Sequence, residues 1–140
     1  MRVALGSDER TPLTDAVTAD LRERGHQVVL VGPPAGEAKQ WAEVGRDVGE
    51  LVASGTCQTA VLFCWTGTGA SIAANKVPGV RAALCTDAAT AAGARRWNDA
   101  NVVVMGLRLT SADVAHEMLD AWFGADPDPG EARNIARLET

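Results

Sequence analysis

Short apolar runs alternate with longer segments of helical periodicity along the whole chain. The apolar runs predict strands at 2–7, 26–32, 59–64, 79–85 and 101–106. The run at 59–64, "TAVLFC", has no polar alternation, which is typical of a parallel strand covered on both faces. The segments between the runs predict helices at 11–25, 40–55, 87–97 and 111–124.

Capping residues support the helix boundaries. Thr11 is suited to cap the first helix, Pro12 to occupy its first position and Gly25 to end it. Thr110 or Ser111 can cap the last helix. In the helix at 40–55, the apolar residues are spaced to face a core; they are Trp41, Val44, Val48, Leu51 and Val52.

The alternation of strands and helices predicts an α/β fold. Parallel strands need helical crossovers, so we expect a Rossmann-like three-layer α/β/α sandwich with a five-stranded parallel sheet over residues 1–125. In such sheets, ligands bind beyond the carboxyl ends of the strands. Residues 126–140 form a C-terminal tail rich in prolines and acids, with a short helix at 132–138. We expect this tail to dock on a partner subunit.

Composition and charge narrow the possible partners. The chain has 140 residues, 46% of them hydrophobic, which suits one domain with a sizeable core. Its net charge of −5 disfavours nucleic acid and anionic membrane surfaces. No apolar run approaches the length of a membrane span, and the first residues do not resemble a signal peptide. We therefore expect a cytoplasmic protein.

The cysteines favour a reducing compartment. Cys57, Cys64 and Cys85 are odd in number and form no Cys-x-x-Cys pair, so the sequence suggests neither a disulfide framework nor a zinc site.

The most informative stretch is "CWTGTGASIAANK" at 64–76. Gly67 and Gly69 lie where the third strand should turn into a helix, so backbone N–H groups could approach an anion or a developing oxyanion. The spacing fits neither a Walker motif nor Gly-x-Gly-x-x-Gly. Cys64 at the strand end fits two interpretations: a partly exposed thiol that accepts a proton, or a small packed apolar residue.

This stretch resembles the ribose-5-phosphate isomerase B family, which includes the galactose-6-phosphate isomerase subunits. The family pattern reads Cys-Gly-Thr-Gly-x-Gly-x-Ser-Ile-Ala-Ala-Asn-Lys, and Trp65 is the departure from it here. The similarity continues through "GSD" at 6–8, "WNDANVVVMGLR" at 97–108 and "GEARNIAR" at 130–137. The resemblance implies a homodimer with shared active sites, with further association into tetramers left open.

The resemblance also implies an activity. The family interconverts aldose and ketose phosphates through a cis-enediol(ate), without a metal or an organic cofactor. In a mechanism of this kind, Cys64 would move a proton between C1 and C2, and Thr66 would assist at a substrate hydroxyl. Asp8 would bind sugar hydroxyls, and Asn98 would donate to the enediolate oxygen. The same oxygen would be held by the backbone amides of Gly67, Thr68 and Gly69.

Three arginines match phosphate-binding positions of the family. Arg133 and Arg137 have the i, i+4 spacing of its arginine pair, and Arg108 matches a further arginine of the site. Guanidinium groups suit phosphate because they bind it bidentately. Without the resemblance, Arg133 and Arg137 would be read as part of a solvated tail.

Three departures fall on functional positions. The family's Tyr-Pro at the second helix becomes Trp41-Ala42. Glu9 stands where the family has His, and Trp97 stands where it has the ring-opening His. The two histidines of the chain, His26 and His116, are read as surface or packing residues. Without the imidazole at position 97, the chain lacks the group that would open a furanose ring. A tetrose 4-phosphate cannot form a furanose, so the sequence favours a short, linear substrate.

Three functional hypotheses follow. The first is a cofactor-independent aldose–ketose isomerase of a small sugar phosphate. The second is a catalytically impaired relative that binds a sugar or sugar phosphate in a regulatory role, and the third is a dimerisation module. Glu9 adds an alternative within the first hypothesis, because it is a second candidate for the proton carrier or for the partner of an arginine.

Overall fold

A parallel β-sheet forms the middle layer of the protein. The computed structural model describes residues 1–139, within which the sheet consists of β1 (Arg2–Ser7), β2 (Gln27–Val31), β3 (Thr59–Cys64), β4 (Ala82–Leu84) and β5 (Val102–Gly106). All pairings are parallel and the order is β2-β1-β3-β5-β4, so β3 lies at the centre. The predicted Rossmann-like α/β/α sandwich is confirmed.

Helices cover both faces of this sheet. They are α1 (Pro12–Glu23), α2 (Trp41–Ala53), α3 (Thr68–Asn75), α4 (Ala88–Asn98), α5 (Ala112–Phe123) and α6 (Ala132–Arg137). One apolar cluster joins the sheet to α1, α4 and α5, and a second joins it to α2 and α3. Because both faces are covered, every residue of β3 is buried, as its uninterrupted apolar run predicted.

The first helix begins as its sequence predicted. The Thr11 hydroxyl accepts a hydrogen bond from the Thr14 N–H, and the Thr14 hydroxyl accepts one from the Thr11 N–H. This reciprocal capping box, followed by Pro12, satisfies amides that the helix itself cannot pair.

Strand β4 is shorter than predicted. The sequence predicted a strand over 79–85, but only Ala82–Leu84 pair with β5. At its start, the side-chain amide of Asn75 donates to the Ala82 carbonyl at 2.9 Å and accepts from the Ala82 N–H at 2.8 Å. The asparagine of the "AANK" motif thus satisfies backbone groups on the open side of an edge strand, where they would otherwise invite pairing with another chain.

Trp41 is not the core residue that its spacing predicted. It is 46% exposed, whereas Val44 and Val48 of the same helix are fully buried. The reason is its position: α2 starts at the carboxyl end of the sheet, so its first residue extends past the layer that the helix covers.

The C-terminal segment, residues 126–139, packs on its own chain. The predicted short helix is confirmed as α6. The Asp128 N–H donates to the Arg96 carbonyl at 2.7 Å, and the Glu139 carboxylate pairs with Arg81. Docking of this segment on a partner stays a prediction, and Thr140 lies outside the described residues.

An ion-pair cluster ties α1 to α5. His116 Nδ1 lies 2.8 Å from Asp20 Oδ2, and Arg24 bridges Asp20 and Asp120 at 2.8 Å each. The hydrogen bond with Asp20 raises the pKa of His116. Burial alone would raise the pKa of Asp20, but hydrogen bonds from Arg24 and His116 outweigh it, so that this pKa is lowered overall.

This cluster predicts a pH-dependent stability. The His116–Asp20 pair contributes fully below the ordinary histidine pKa of 6.5, and the contribution is lost as pH rises through the raised pKa of folded His116. We therefore expect the difference in free energy of unfolding between wild type and His116→Gln to be largest at about pH 5.5 and to shrink as pH rises above 6.5, as measured in denaturant titrations. Burial lowers the pKa of His26, which acts in the opposite direction but is common to both proteins. A difference that stays constant with pH would contradict the assignment.

Candidate active site

Two polar side chains meet at the carboxyl ends of β1 and β3. The register pairs Ser7 with Phe63, so the next residues, Asp8 and Cys64, stand side by side. Side chains alternate along a strand, and Cys64 belongs to the apolar cluster that α2 and α3 cover. Asp8 directly follows β1 at the same edge of the sheet, and neighbouring strands lie ~4.8 Å apart.

Cys64 is more covered than the sequence predicted. The catalytic interpretation expected a partly exposed thiol, but this residue is only 5% exposed. It pairs with Gly106 of β5, at the last step of the β3–β5 ladder. Because helices cover the rest of the strand, a ligand can reach the sulfur only from the end of β3.

The other two thiols are unsuited to proton transfer. Burial, assisted by the charge of Asp87, raises the pKa of Cys85 to about 11. Burial also raises the pKa of Cys57, which lies before β3 and far from the strand's carboxyl end. Cys85 also follows a strand's carboxyl end, that of β4, so its burial and raised pKa rather than its position argue against it as the base.

Asp8 carries an unpaired buried oxygen. Its Oδ1 is buried and has no hydrogen-bond partner in the described part of the chain. Buried acceptors are nearly always satisfied, so an orphan of this kind calls for a donor from outside the chain, such as a sugar hydroxyl. The neighbouring Glu9 is exposed, and its N–H donates to the Ser7 hydroxyl at 3.2 Å.

The glycine loop presents a helix N-terminus at the same edge. Gly67 precedes α3 with φ of +80°, a conformation that favours glycine, and a Cβ there would stand 3.3 Å from the Gly106 backbone nitrogen. No side chain within residues 1–139 caps this helix, which leaves its first N–H groups for a ligand. The hydroxyls of Thr66 and Thr68 lie 2.8 Å apart at the loop's exposed side.

The sequence marked Trp41 as a departure from the family but did not count it among the site residues. A Cβ on Gly69 would stand 2.8 Å from Trp41 Cε3, so the indole lies directly against the first turn of α3. Close packing holds it there, because a Cβ on Gly45 of α2 would stand 2.8 Å from the Ala70 carbonyl oxygen of α3. Two signals were available, namely this departure from the family and the place of Trp41 at the start of a helix that follows a strand's carboxyl end.

The loop after β5 completes this edge. The Leu107 N–H donates to the Cys64 carbonyl at 2.9 Å, and the Arg108 N–H donates to the Trp65 carbonyl at 3.0 Å. These bonds extend the β3–β5 pairing beyond the strands and bring Arg108, which is exposed, to the same end as Asp8 and Cys64.

Four predicted site residues lie elsewhere in the chain. Trp97 and Asn98 end α4, an 11-residue helix that begins after the carboxyl end of β4 and is therefore about 16 Å long. Asn98 lines a cavity with Ala82, the first residue of β4, and hence lies toward the amino ends of the strands. Arg133 and Arg137 belong to the segment that packs on α4. One chain does not bring these four residues to Cys64.

The surface around β4 and α4 is apolar and open. A groove of about 630 Å³ runs between them, lined by residues that include Ala82, Leu84, Gly93 and Trp97. Trp97 is 56% exposed, and Ile72 on α3 is 62% exposed. Such a concentration of exposed apolar side chains is typical of an interaction surface.

The described residues show neither a metal site nor a membrane-spanning helix. Among residues 1–139, no group of three or more His, Cys, Asp or Glu side chains could hold a metal ion. No helix in the same range is long and apolar enough to cross a bilayer.

Comparisons with known proteins agree with the resemblance seen in the sequence. The family model described as Ribose/Galactose Isomerase matches residues 3–140. The chain is 35% identical to ribose-5-phosphate isomerase B of Escherichia coli over 139 residues, which is 99% of this chain and 92% of that protein. It is 33% identical to a D-erythrulose-4-phosphate isomerase of Pectobacterium atrosepticum over 132 residues, 93% of this chain and 87% of the relative.

Solved structures show the same fold. The structure of Clostridium thermocellum ribose-5-phosphate isomerase B superposes with a TM-score of 0.92 at 35% identity, covering 99% of this chain and 95% of that one. Sequence and structure agree over nearly the full length of both chains. The protein therefore belongs to the Ribose/Galactose Isomerase family.

Proposed function

We propose that this protein is an aldose–ketose isomerase that acts on a short, open-chain sugar phosphate. The observation that carries the proposal is that Asp8 and Cys64 lie at the carboxyl ends of adjacent strands, beside the N-terminus of α3, which Gly67 leaves without a side-chain cap. Proton transfer next to a carbonyl needs a base and a set of donors for the negative charge that develops. This edge of the sheet supplies both.

The proposed reaction uses each group in turn. Asp8, whose Oδ1 is unpaired in the described chain, accepts a hydrogen bond from a sugar hydroxyl. Cys64 takes a proton from C2 of the aldose and returns it to C1, while a hydroxyl proton moves from O2 to O1. The amides of Gly67, Thr68 and Gly69 stabilise the enediolate oxygen between these steps. Thr66 assists at a substrate hydroxyl. No step of this scheme calls for a metal or an organic cofactor.

The rest of the site comes from a second copy of the chain. Asn98 ends α4, and Arg133 and Arg137 belong to α6, which packs on α4, so we place all three outside their own chain's site. A two-fold dimer that covers the apolar groove between β4 and α4 would carry these residues to the partner's Cys64. The arginine pair would then bind the phosphate, with Arg108 contributed from the Cys64 side. The proposed setting is a homodimer in a reducing cytoplasm, which suits the three free thiols found within residues 1–139.

Trp97 favours a four-carbon substrate. It replaces the imidazole that the family uses to open a furanose ring, and its exposed indole would fill space in a shared site. A tetrose 4-phosphate needs no ring opening because its 4-hydroxyl is esterified. The similarity to a D-erythrulose-4-phosphate isomerase supports the same substrate class.

A panel of substrates tests this proposal. We expect kcat/KM for D-erythrose 4-phosphate or D-erythrulose 4-phosphate to exceed that for ribose 5-phosphate by about tenfold or more, the scale of discrimination that one carbon unit supports. Product formation is measured for C4, C5 and C6 sugar phosphates at equal concentrations. Efficient turnover of ribose 5-phosphate without turnover of tetrose phosphates would reject the short-substrate assignment.

One observation favours a second function. Cys64 is only 5% exposed, and Glu9 places a carboxylate near any phosphate bound at this edge. A relative that binds sugar phosphates without converting them would show both features. Such a protein would gain thermal stability with D-erythrose 4-phosphate and would incorporate no solvent deuterium into it.

A further inference from the structure

Arg81 connects three parts of the chain that the proposed mechanism needs to hold together. It lies just before β4, and its side chain is 18% exposed. Its own N–H donates to Asn101 Oδ1 at 2.8 Å, which fixes its backbone to the start of β5. Its guanidinium group has five donors in a rigid fork, so it can bind several acceptors at once.

The first connection is to the end of α4. Arg81 Nε donates to the Asp99 carbonyl at 2.6 Å, and Nη2 lies 3.4 Å from Asp99 Oδ2. Asp99 has φ of +44°, the left-handed conformation that turns the chain out of the helix. Asn98 immediately precedes Asp99, so the Arg81–Asp99 contact fixes the backbone position from which the Asn98 side chain extends.

The second connection is to the C-terminal segment. Arg81 Nη1 pairs with the carboxylate of Glu139, two residues after α6 ends. At the other end of this segment, the Asp128 N–H donates to the Arg96 carbonyl at 2.7 Å. The helix that carries Arg133 and Arg137 is therefore anchored on both sides, and Arg81 forms one of the anchors.

We propose that Arg81 is a positioning residue that holds Asn98 and the arginine pair of α6 as one rigid unit. The inference rests on the proposed function, because this unit would bind the substrate in the site of the neighbouring copy. A misplacement of catalytic groups by about 1 Å can cost about 10²-fold in rate, which is why a single anchor can matter far from the reacting atoms. Arg81 itself touches no reacting atom in this scheme.

A neighbouring arginine serves as a matched control. Arg95 donates to Asp99 Oδ1 at 3.0 Å and to the Ala100 carbonyl at 2.7 Å. It thus shares the Asp99 carboxylate with Arg81, but its contacts in the described residues do not include Glu139. A purely structural role for Arg81 predicts that both arginines behave alike, whereas the positioning role predicts that they differ.

The experiment compares Arg81→Met, Glu139→Gln and Arg95→Met in the full-length protein. We expect Glu139→Gln, which removes one exposed charge and should fold normally, to raise KM for D-erythrose 4-phosphate about fivefold to tenfold with a smaller change in kcat. Arg81→Met should raise KM further and lower kcat, and Arg81→Lys should recover little because ammonium lacks the planar fork. Arg95→Met should lower the melting temperature with KM within about twofold of wild type.

A second readout does not depend on activity. Trypsin cleaves after Arg133 and Arg137, and loss of the Arg81–Glu139 anchor should speed release of the C-terminal segment in Arg81→Met and Glu139→Gln but not in Arg95→Met. Unchanged KM together with unchanged tryptic release in Glu139→Gln would overturn the inference. If the wild-type protein turns over no sugar phosphate, the proposed function fails, and the positioning role is then decided by tryptic release together with the shift in melting temperature that inorganic phosphate produces in wild type and Glu139→Gln.

Discussion

Replacing Cys64 by alanine is expected to lower the turnover of D-erythrose 4-phosphate by about 10²- to 10⁴-fold, the usual contribution of a positioned acid–base group. The fold should survive, because the change removes one sulfur atom from an apolar cluster without leaving a polar group unpaired. Solvent deuterium incorporation at C1 and C2 is the direct measurement, since it follows the proton transfer itself. Thermal unfolding of the same sample checks the fold.

The controls separate the thiol's chemistry from its packing. Cys57→Ala removes another buried thiol at the far end of β3 and should keep wild-type exchange. Glu9→Gln tests the other candidate for the proton carrier, because Glu9 is exposed at the same edge. If deuterium exchange persists in Cys64→Ala and disappears in Glu9→Gln, then Glu9 and not Cys64 is the base. The burial of the Cys64 sulfur would then explain why it does not reach the substrate.

Two inactive variants are expected to recover activity when they share a dimer. Cys64→Ala lacks the proposed base, and Arg133→Met/Arg137→Met should lose about 10²-fold or more in kcat/KM, since hydrogen bonds to a charged group each contribute about 1.5–3 kcal/mol. If one chain supplies the base and the other the arginines, a mixed dimer contains one intact site. Refolding equal amounts together should restore about a quarter of wild-type activity, because half of the dimers are mixed and half of their sites are intact.

The matched control places both defects in one chain. Mixing Cys64→Ala with a chain that carries Cys64→Ala and both arginine substitutions leaves every site without a base, so no activity should return. Coexpression with two affinity tags allows the mixed species to be isolated and its activity per dimer to be measured. A mixed dimer that stays inactive would show that the base and the arginines act within one chain, contrary to the shared site proposed from the distance between the end of β3 and α6.

Local features of the sequence were sufficient to predict where the helices and strands discussed here lie. The Thr11-Pro12 start of α1 is a capping box in the structure, as its residue types predicted. The uninterrupted apolar run of β3 is buried on both faces. The glycines after β3 do precede a helix, and Gly67 adopts the positive φ that only glycine accepts readily. Each of these predictions depends on neighbours within a few residues.

The site was harder to predict because its parts are distant in sequence. The resemblance named Asp8, Cys64 and Asn98 as parts of one site, but only the strand register shows that β1 and β3, which end beside the first two, are neighbours. Trp41 was assigned to the core because its spacing matches buried Val44 and Val48, yet it lies against Gly69. The helical period predicts which face of the helix a residue occupies. It does not predict whether that residue lies over the sheet or beyond its edge.

The sequence by itself determined the secondary structure, the α/β class and the family, because these depend on periodicity, capping and a dense motif at 64–76. Tertiary structure alone decided that Cys64 is 5% exposed, that Asp8 Oδ1 is unpaired in the described chain, and that Asn98 lies at the opposite end of α4 from the glycine loop. The physical reason is that burial and distance are set by which strands are neighbours and which helices cover them. The order β2-β1-β3-β5-β4 brings together segments that no local pattern relates.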